Sequence, residues 1–273
     1  MGHPGHVLNR GRRSTAWVRA GAAAGILGVA LVGVGVLDGG PATSAPAKQQ
    51  PALTPDPVIA DVPDAQRPLT VVPEGPVRDT VVVALHGYTS NPAQLRQRLG
   101  SDAWADELDA TVVYPSGLGA RPSWNAGACC GSAARSSIDD VGYLAGQITQ
   151  LTAAGASRVV LVGYSNGGML AYRFACERPD LVDEIVVLNA TIAVAECEGD
   201  FDALHLAGAL DTAVPVQGVA MVPYLFTGFR PLVNLPAAAP NADLDIRVLA
   251  GVGHEISPDA HGIITDWLVR RGL

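Results

Sequence analysis

Short apolar runs alternate with helical patterns through most of the chain. The run Thr80–Leu85 is rich in β-branched residues, as expected of a strand buried on both faces of a sheet. Similar runs predict strands at 111–114, 158–163, 184–188, 203–209 and 244–250. Apolar residues at helical spacing predict helices at 91–98, 101–108, 138–152, 167–176 and 259–270. This alternation predicts an α/β fold, a mostly parallel sheet with helices on both faces and functional residues at the strands' carboxyl ends.

The N-terminus has the pattern of an export signal. Four arginines precede an uncharged apolar run at 20–37, and small residues follow as far as Ala45-Pro46-Ala47. We expect a signal peptide at 1–47 and a secreted or extracytoplasmic protein. Because the run at 20–37 is long enough to cross a bilayer, an uncleaved membrane anchor is the alternative.

Residues 48–66 predict a linker. Four prolines fall there among alanine, glutamine and aspartate, a composition that stays extended and need not pack. The folded domain is therefore expected to span residues 67–273.

Charge and composition exclude several classes of function. The chain of 273 residues has a formal net charge of −8, and an acidic protein is a poor partner for nucleic acid. The only lysine, Lys48, lies in the predicted linker, so the chain offers no P-loop lysine and no lysine suited to a Schiff base. We expect no cofactor and no nucleic acid partner, and contact with a membrane only through an uncleaved N-terminal segment.

The four cysteines all follow the predicted signal segment: Cys129, Cys130, Cys176 and Cys197. An even number in an oxidising compartment predicts disulfides, and four cysteines allow three pairings. We favour Cys176–Cys197, since Cys176 ends the predicted helix 167–176 and Cys197 follows the next predicted strand. This pairing leaves a bridge between the adjacent Cys129 and Cys130. The spacing matches no common zinc motif, so we expect no metal site.

The motif Gly163-Tyr164-Ser165-Asn166-Gly167 lies between the predicted strand 158–163 and the helix that follows it. In that context G-x-S-x-G forms a nucleophile elbow, in which the flanking glycines allow close packing and a strained turn presents the serine hydroxyl. The helix N-terminus favours developing negative charge. The context disfavours a chance match in a glycine-rich chain, and the sequence predicts Ser165 as a nucleophile.

A serine nucleophile needs a base that an acid orients, and on this fold the chain order is Ser, Asp or Glu, then His. Asp211 and His254 each follow a predicted strand, at its carboxyl end. We predict that Asp211 is the acid and His254 the base. The rival residues precede a strand, lie inside one or belong to the last helix: Asp200, Asp202, His205 and His261.

Backbone N–H groups beside the nucleophile are candidates for an oxyanion hole. Asn166 directly follows Ser165, and Tyr88 lies in the loop Leu85-His86-Gly87-Tyr88 after the first buried strand. We predict Tyr88 and Asn166 as the two donors. His86 either orients this loop or is simply a polar residue that ends the strand.

Aromatic residues in two loops are candidates for substrate binding. Trp124 follows the strand at 111–114, and we expect it to form a wall of the substrate cleft. Tyr224 and Phe226 lie in an apolar stretch broken by prolines, 221–231, which is expected to line an acyl pocket or form a short lid. For both loops the alternative is ordinary core packing.

The adjacent carboxylates Asp139 and Asp140 stand at the beginning of the predicted helix 138–152. Such a pair is able to bind a metal or supply a second acid. Ser137 and Asp140 also have the spacing of a capping box, and we favour that interpretation.

Several segments resemble, in their order along the chain, the secreted polyhydroxybutyrate-depolymerase-like esterases, which are related to feruloyl and acetylxylan esterases. The resemblance covers about residues 68–273. It implies an α/β-hydrolase fold, hydrolysis of carboxylic esters, and Ser165, Asp211 and His254 as nucleophile, acid and base. Because no segment is long enough for a large cap, we expect little or no cap. The segments are LHGY, SWNAGACCG, DDVGYL, GYSNGGMLAYRFACERPDLVDEIVVLNA, GALDTAVP and GVGH.

The chain departs from this family's pattern at two places. The acid segment, usually HG-x-x-D, reads AGALD, and His254 is followed by Glu255-Ile256-Ser257 instead of an aromatic residue and proline. The second change bears on the substrate more than on catalysis. The sequence predicts an exported serine esterase acting on small or oligomeric esters, with short acyl, hydroxyalkanoate or aromatic acyl groups. A serine peptidase and a non-catalytic binding protein of the same fold are the alternatives.

Overall fold

The computed structural model describes residues 67–222 and 227–273. The predicted signal segment 1–47, the linker 48–66 and the candidates Tyr224 and Phe226 lie outside the described residues. Within the described ranges seven strands form one sheet, and two short strands form a separate hairpin. The sheet strands are β1 Leu69–Val72, β2 Thr80–Leu85, β3 Ala110–Pro115, β4 Arg158–Tyr164, β5 Glu184–Leu188, β6 Asp202–Gly208 and β9 Asp243–Leu249; the hairpin strands are β7 Val219–Val222 and β8 Thr227–Phe229.

The sheet has the order β1-β3-β2-β4-β5-β6-β9, and every neighbouring pair is parallel except β1 with β3. Neither β1 nor the hairpin was predicted, whereas each predicted strand is present with bounds shifted by one residue at most. The helices are α1 Pro92–Leu99, α2 Trp104–Glu107, α3 Gly131–Arg135, α4 Asp140–Ala153, α5 Asn166–Glu177, α6 Leu235–Ala238 and α7 Ala260–Arg270.

The core has two parts, one on each face of the sheet. Along β2, Val81 and Val83 belong to one buried cluster and Val82 to the other, because successive side chains of a strand point to opposite faces. Helices α4 and α5 cover the first face, and α1, α2 and α7 cover the second. The predicted fold class, an α/β-hydrolase fold with helices on both faces, is confirmed.

The prediction that Ser137 and Asp140 form a capping box before α4 is wrong. The helix is capped by Asp139, whose side chain accepts a hydrogen bond from the Gly142 N–H at 2.8 Å. Asp140 is instead fully buried, and its carboxylate pairs with Arg67 at 2.6 Å. A charge buried this deeply requires a partner, and the partner lies 73 residues away in the chain.

Both disulfides agree with the favoured pairing. Cys176 at the end of α5 is bonded to Cys197 in the loop after β5, and Cys129 is bonded to its neighbour Cys130. The first bridge ties α5 to the loop between β5 and β6, and the second lies in the loop between β3 and α3. No helix in the described part of the chain is both long enough and apolar enough to cross a membrane.

Candidate active site

Ser165 stands in the sharp turn between β4 and α5. Its backbone has φ 53° and ψ −119°, a conformation that is strained for a residue with a side chain. The glycines on either side are required by close approach: a Cβ at Gly163 would collide with the backbone of Gly167, and a Cβ at Gly167 with that of Leu85. The packing of β2, β4 and α5 therefore explains the G-x-S-x-G pattern.

The structure brings the three residues predicted as nucleophile, acid and base into one hydrogen-bonded chain. Ser165 Oγ lies 2.9 Å from His254 Nε2, and His254 Nδ1 lies 2.7 Å from Asp211 Oδ2. Since the carboxylate accepts the proton on Nδ1, Nε2 is left as an acceptor for the serine hydroxyl. This arrangement is able to deprotonate Ser165 during nucleophilic attack.

Asp211 is held rigidly and shielded from water. Its Oδ1 accepts hydrogen bonds from the N–H groups of Ala213 and Val214, each at 2.8 Å. Its side chain is almost entirely buried, whereas a quarter of the His254 side chain is exposed. The ring of His254 is therefore accessible to a ligand, whereas the carboxylate of Asp211 is not.

Three of the four rival residues have partners away from Ser165, and the fourth, Asp200, is exposed before β6. Asp202 begins β6 and pairs with Arg271, at the end of the strand opposite to Asp211. His205 is fully buried inside β6 with Nδ1 2.8 Å from the Tyr172 hydroxyl, and His261 binds Glu107.

Trp124 does not form a wall of the cleft. Its side chain is fully buried, and its indole N–H donates to the His86 carbonyl at 2.9 Å. Its backbone N–H and C=O bond to the side-chain amide of Asn166, at 2.7 and 3.0 Å. The indole lies beneath the loop after β2, where its buried N–H finds the acceptor that it needs. Through its bonds to His86 and Asn166, Trp124 connects this loop to the first residue of α5.

His86 orients the loop that carries Tyr88. Its Nδ1 donates to the Gly87 carbonyl at 2.8 Å, and its Nε2 accepts from the Gly117 N–H at 3.0 Å, which fixes the neutral tautomer. Burial lowers the pKa of His86 to about 4, and the hydrogen bond to Gly87 opposes this shift only in part. Gly87 is packed so closely that a Cβ there would lie 3.3 Å from Ser165 Cβ, which brings the Tyr88 segment beside the nucleophile.

Two buried histidines should make the fold sensitive to acid. Burial lowers the pKa of both His86 and His205 to about 4, against about 6.5 in an unfolded chain. The unfolded state therefore binds more protons, and stability should fall as the pH drops from 6.5 to 4, by roughly 3 kcal/mol for each histidine. Urea unfolding at pH 7, 5.5 and 4.5 measures this loss.

His205→Gln is the matched control, because it removes one of the two titrating rings and leaves a polar group facing Tyr172. The pH dependence of its unfolding free energy should be about half that of the wild type. Equal pH dependence in the two proteins would contradict the assignment of this acid sensitivity to the buried rings.

A small cavity of about 210 Å³ opens at Ser165 and His254. It is smaller than a typical site for a drug-sized ligand. Sequence reasoning assigned no substrate contact to Met169, Val214 or Cys130, since only the folded chain shows which apolar side chains face the nucleophile. Phe229 was identifiable only as part of the aromatic stretch 221–231. The lining residues are Tyr88, Cys130, Ser165, Met169, Ala213, Val214, Phe229 and His254.

No group of three or more histidine, cysteine, aspartate or glutamate side chains suited to a metal occurs among residues 67–222 and 227–273. The polar side chains that line the cavity include those of Ser165 and His254, which are hydrogen-bonded to each other. The chemistry available to these residues is proton transfer and nucleophilic attack by Ser165.

Comparison with known proteins identifies the family. The family model of the alpha/beta hydrolase fold matches residues 80–232, which include Ser165 and Asp211. An esterase by name, NocK from Nocardia uniformis subsp. tsuyamanensis, is 24% identical over 159 residues, a match that covers 56% of this chain and only 45% of NocK.

Solved structures share the fold. A carboxylesterase from Mesorhizobium loti is 19% identical with a TM-score of 0.56, and the match covers 79% of this chain and 99% of that protein. Esterase PE8 is 23% identical with a TM-score of 0.54 and matching coverage of 75% and 97%. At such identities the likeness concerns the fold, and it agrees with the family match. The chain belongs to the alpha/beta hydrolase fold family.

Proposed function

We propose that this protein is a serine esterase that hydrolyses carboxylic esters through an acyl-enzyme. The observation that carries the proposal is the hydrogen-bonded chain Ser165–His254–Asp211, whose first two members line a mostly apolar cavity. Ser165 Oγ attacks the ester carbonyl while His254 Nε2 takes its proton. His254 then returns this proton to the leaving alcohol, and in the second half-reaction it takes a proton from the water that releases the acid.

The negative oxygen of each tetrahedral intermediate needs donors. The backbone N–H of Asn166 lies in the first turn of α5, where N–H groups have no partner within the helix. Tyr88 lines the same cavity as Ser165. We assign the backbone N–H groups of Asn166 and Tyr88 to the oxyanion hole.

Similarity to known proteins supports ester hydrolysis. NocK, the Mesorhizobium loti protein and PE8 are all esterases or carboxylesterases by name. The segments around Ser165 and Trp124 resemble those of the polyhydroxybutyrate-depolymerase-like and feruloyl esterases, and we propose this subgroup. Export, through the segment at 1–47, is part of the proposal, and two disulfides are consistent with an oxidising compartment.

The cavity favours a short or aromatic acyl group over a long fatty chain. Each additional methylene gains about 0.8 kcal/mol only while the pocket still covers it, and the cavity has about 210 Å³ to offer. We expect kcat/KM to peak at short p-nitrophenyl esters and to fall by about tenfold or more at twelve carbons. Phe229→Ala should shift the maximum to longer chains because Phe229 lines the cavity. A maximum at long chains in the wild type, with activation at an oil–water interface, would indicate a lipase instead.

The function is tested with a panel of p-nitrophenyl, feruloyl and 3-hydroxybutyrate esters, alongside peptide substrates of similar size. Hydrolysis of esters but not peptides, together with mass-spectrometric labelling of Ser165 by an organophosphonate, is the expected result. A Ser165 that does not react, in a protein that cleaves none of the esters, would exclude the proposal. Sequencing the N-terminus of the protein recovered from the medium tests export.

A further inference from the structure

The loop that carries His254 is held by two side chains, one at the end of β4 and one directly after β5. Tyr164, the last residue of β4, donates its hydroxyl to the His254 carbonyl at 2.6 Å. Asn189, directly after β5, donates its side-chain amide to the carbonyls of Gly253 and Glu255, at 3.3 and 2.6 Å. Three consecutive carbonyls, centred on the predicted base, thus accept hydrogen bonds from two side chains.

Asn189 also connects this loop to the strand that leads to the predicted acid. Its Oδ1 accepts the N–H of Gly208 at 2.7 Å, and the Gly208 carbonyl accepts the N–H of Asp211 at 3.2 Å. The two backbones touch here, since a Cβ at Gly208 would collide with the Gly253 carbonyl. One buried amide therefore bonds both to the loop that carries His254 and to the end of the strand that precedes Asp211.

The two side chains are suited to a fixed role. Asn189 is buried and adopts φ 48°, a left-handed conformation that asparagine tolerates better than most residues. Burial raises the pKa of Tyr164 to about 12, so that its hydroxyl remains a donor at every pH at which an esterase would be assayed. Tyr164 immediately precedes Ser165, which ties the base directly to the turn of the nucleophile.

We propose that Tyr164 and Asn189 are positioning residues that hold His254 within hydrogen-bond distance of Ser165 and Asp211 at once. This inference rests on the proposed esterase function. The loop has little stiffness of its own, because glycines occupy positions 251 and 253. A displacement of the ring by 1 Å would lengthen one of its two bonds and slow proton transfer, without altering the apolar walls that bind the acyl group.

The test compares Tyr164→Phe and Asn189→Gly with the wild type. Glycine adopts the left-handed conformation freely, so this variant removes the amide without straining the backbone. In each variant kcat should fall by about 10- to 100-fold with KM changed less than about threefold, and the rate of phosphonate labelling of Ser165 should fall in parallel.

Tyr172→Phe is the matched control. It also removes a buried hydroxyl that bonds a histidine, but this histidine is His205, outside the predicted triad. It should keep kcat within about twofold of the wild type. Asn241→Ala removes an exposed side-chain amide that bonds the Glu198 carbonyl, and it should have no effect on kcat.

A second measurement does not depend on turnover. The proton between His254 Nδ1 and Asp211 should give a far-downfield NMR resonance in the wild type and in Tyr172→Phe, and this resonance should weaken or broaden in Tyr164→Phe. Unchanged kcat and an unchanged resonance in both Tyr164→Phe and Asn189→Gly would overturn the inference. If the wild type cleaves no ester but the resonance still responds to Tyr164→Phe, the positioning role stands and the proposed function fails.

Discussion

Replacing Ser165 by alanine should lower kcat for ester hydrolysis by several orders of magnitude, on the order of 10⁵-fold or more. The change removes the hydroxyl oxygen that lies 2.9 Å from His254 Nε2, and with it the covalent route. Residual activity would come from direct attack of water on the ester carbonyl, while the proposed oxyanion donors stabilise the developing negative charge. Because alanine retains the Cβ and the turn between Gly163 and Gly167, the fold should persist; circular dichroism and thermal unfolding check this.

Ser101→Ala is a suitable control for that variant. Ser101 is buried, and its hydroxyl bonds Tyr114 on the second face of the sheet, the face that α1, α2 and α7 cover. It should retain full esterase activity even if its stability falls. Esterase activity near the wild-type level in Ser165→Ala would show that the nucleophile lies elsewhere.

The residues of the candidate site could be found in the sequence because the fold puts them in a predictable place. Parallel strands present their carboxyl ends at one edge of the sheet, so that Ser165, Asp211 and His254 needed only to follow β4, β6 and β9. The same rule favoured Asp211 over Asp202, and the structure places Asp202 at the other end of β6. Strand order and chain order were sufficient for this much.

Side-chain direction within loops was not predictable in the same way. Trp124 follows β3 as expected, but its indole lies under the loop because the buried His86 carbonyl offers an acceptor for its N–H. Asp140 is buried because Arg67 lies against it, an approach that no local pattern reveals. Asn189 reads as an ordinary residue after a strand, since its partners are the last residue of β6 and the loop after β9. Each of these depends on contacts between distant segments.

Replacing Asp211 by asparagine should produce the second large effect, a fall in kcat of about 10⁴-fold. The asparagine oxygen can still accept the N–H groups of Ala213 and Val214, which keeps the turn and leaves the NH₂ group facing His254 Nδ1. His254 Nδ1 must then accept a hydrogen bond from this NH₂ group, so the ring carries its own proton on Nε2. The ring in this tautomer donates to Ser165 and is unable to take its proton.

The control for Asp211→Asn is Asp202→Asn on the same strand. Asp202 pairs with Arg271 at the opposite end of β6, so the same change from carboxylate to amide occurs far from Ser165. Its kcat/KM should stay within about twofold of the wild type, and only a modest loss of stability is expected from a partly exposed ion pair. If Asp202→Asn lost activity and Asp211→Asn did not, the 2.7 Å bond between Asp211 and His254 would have no part in catalysis. The loss is expected instead in Asp211→Asn alone, because Asp211 contacts His254 whereas Asp202 contacts Arg271, so that only the first change would move the proton between the ring nitrogens of His254.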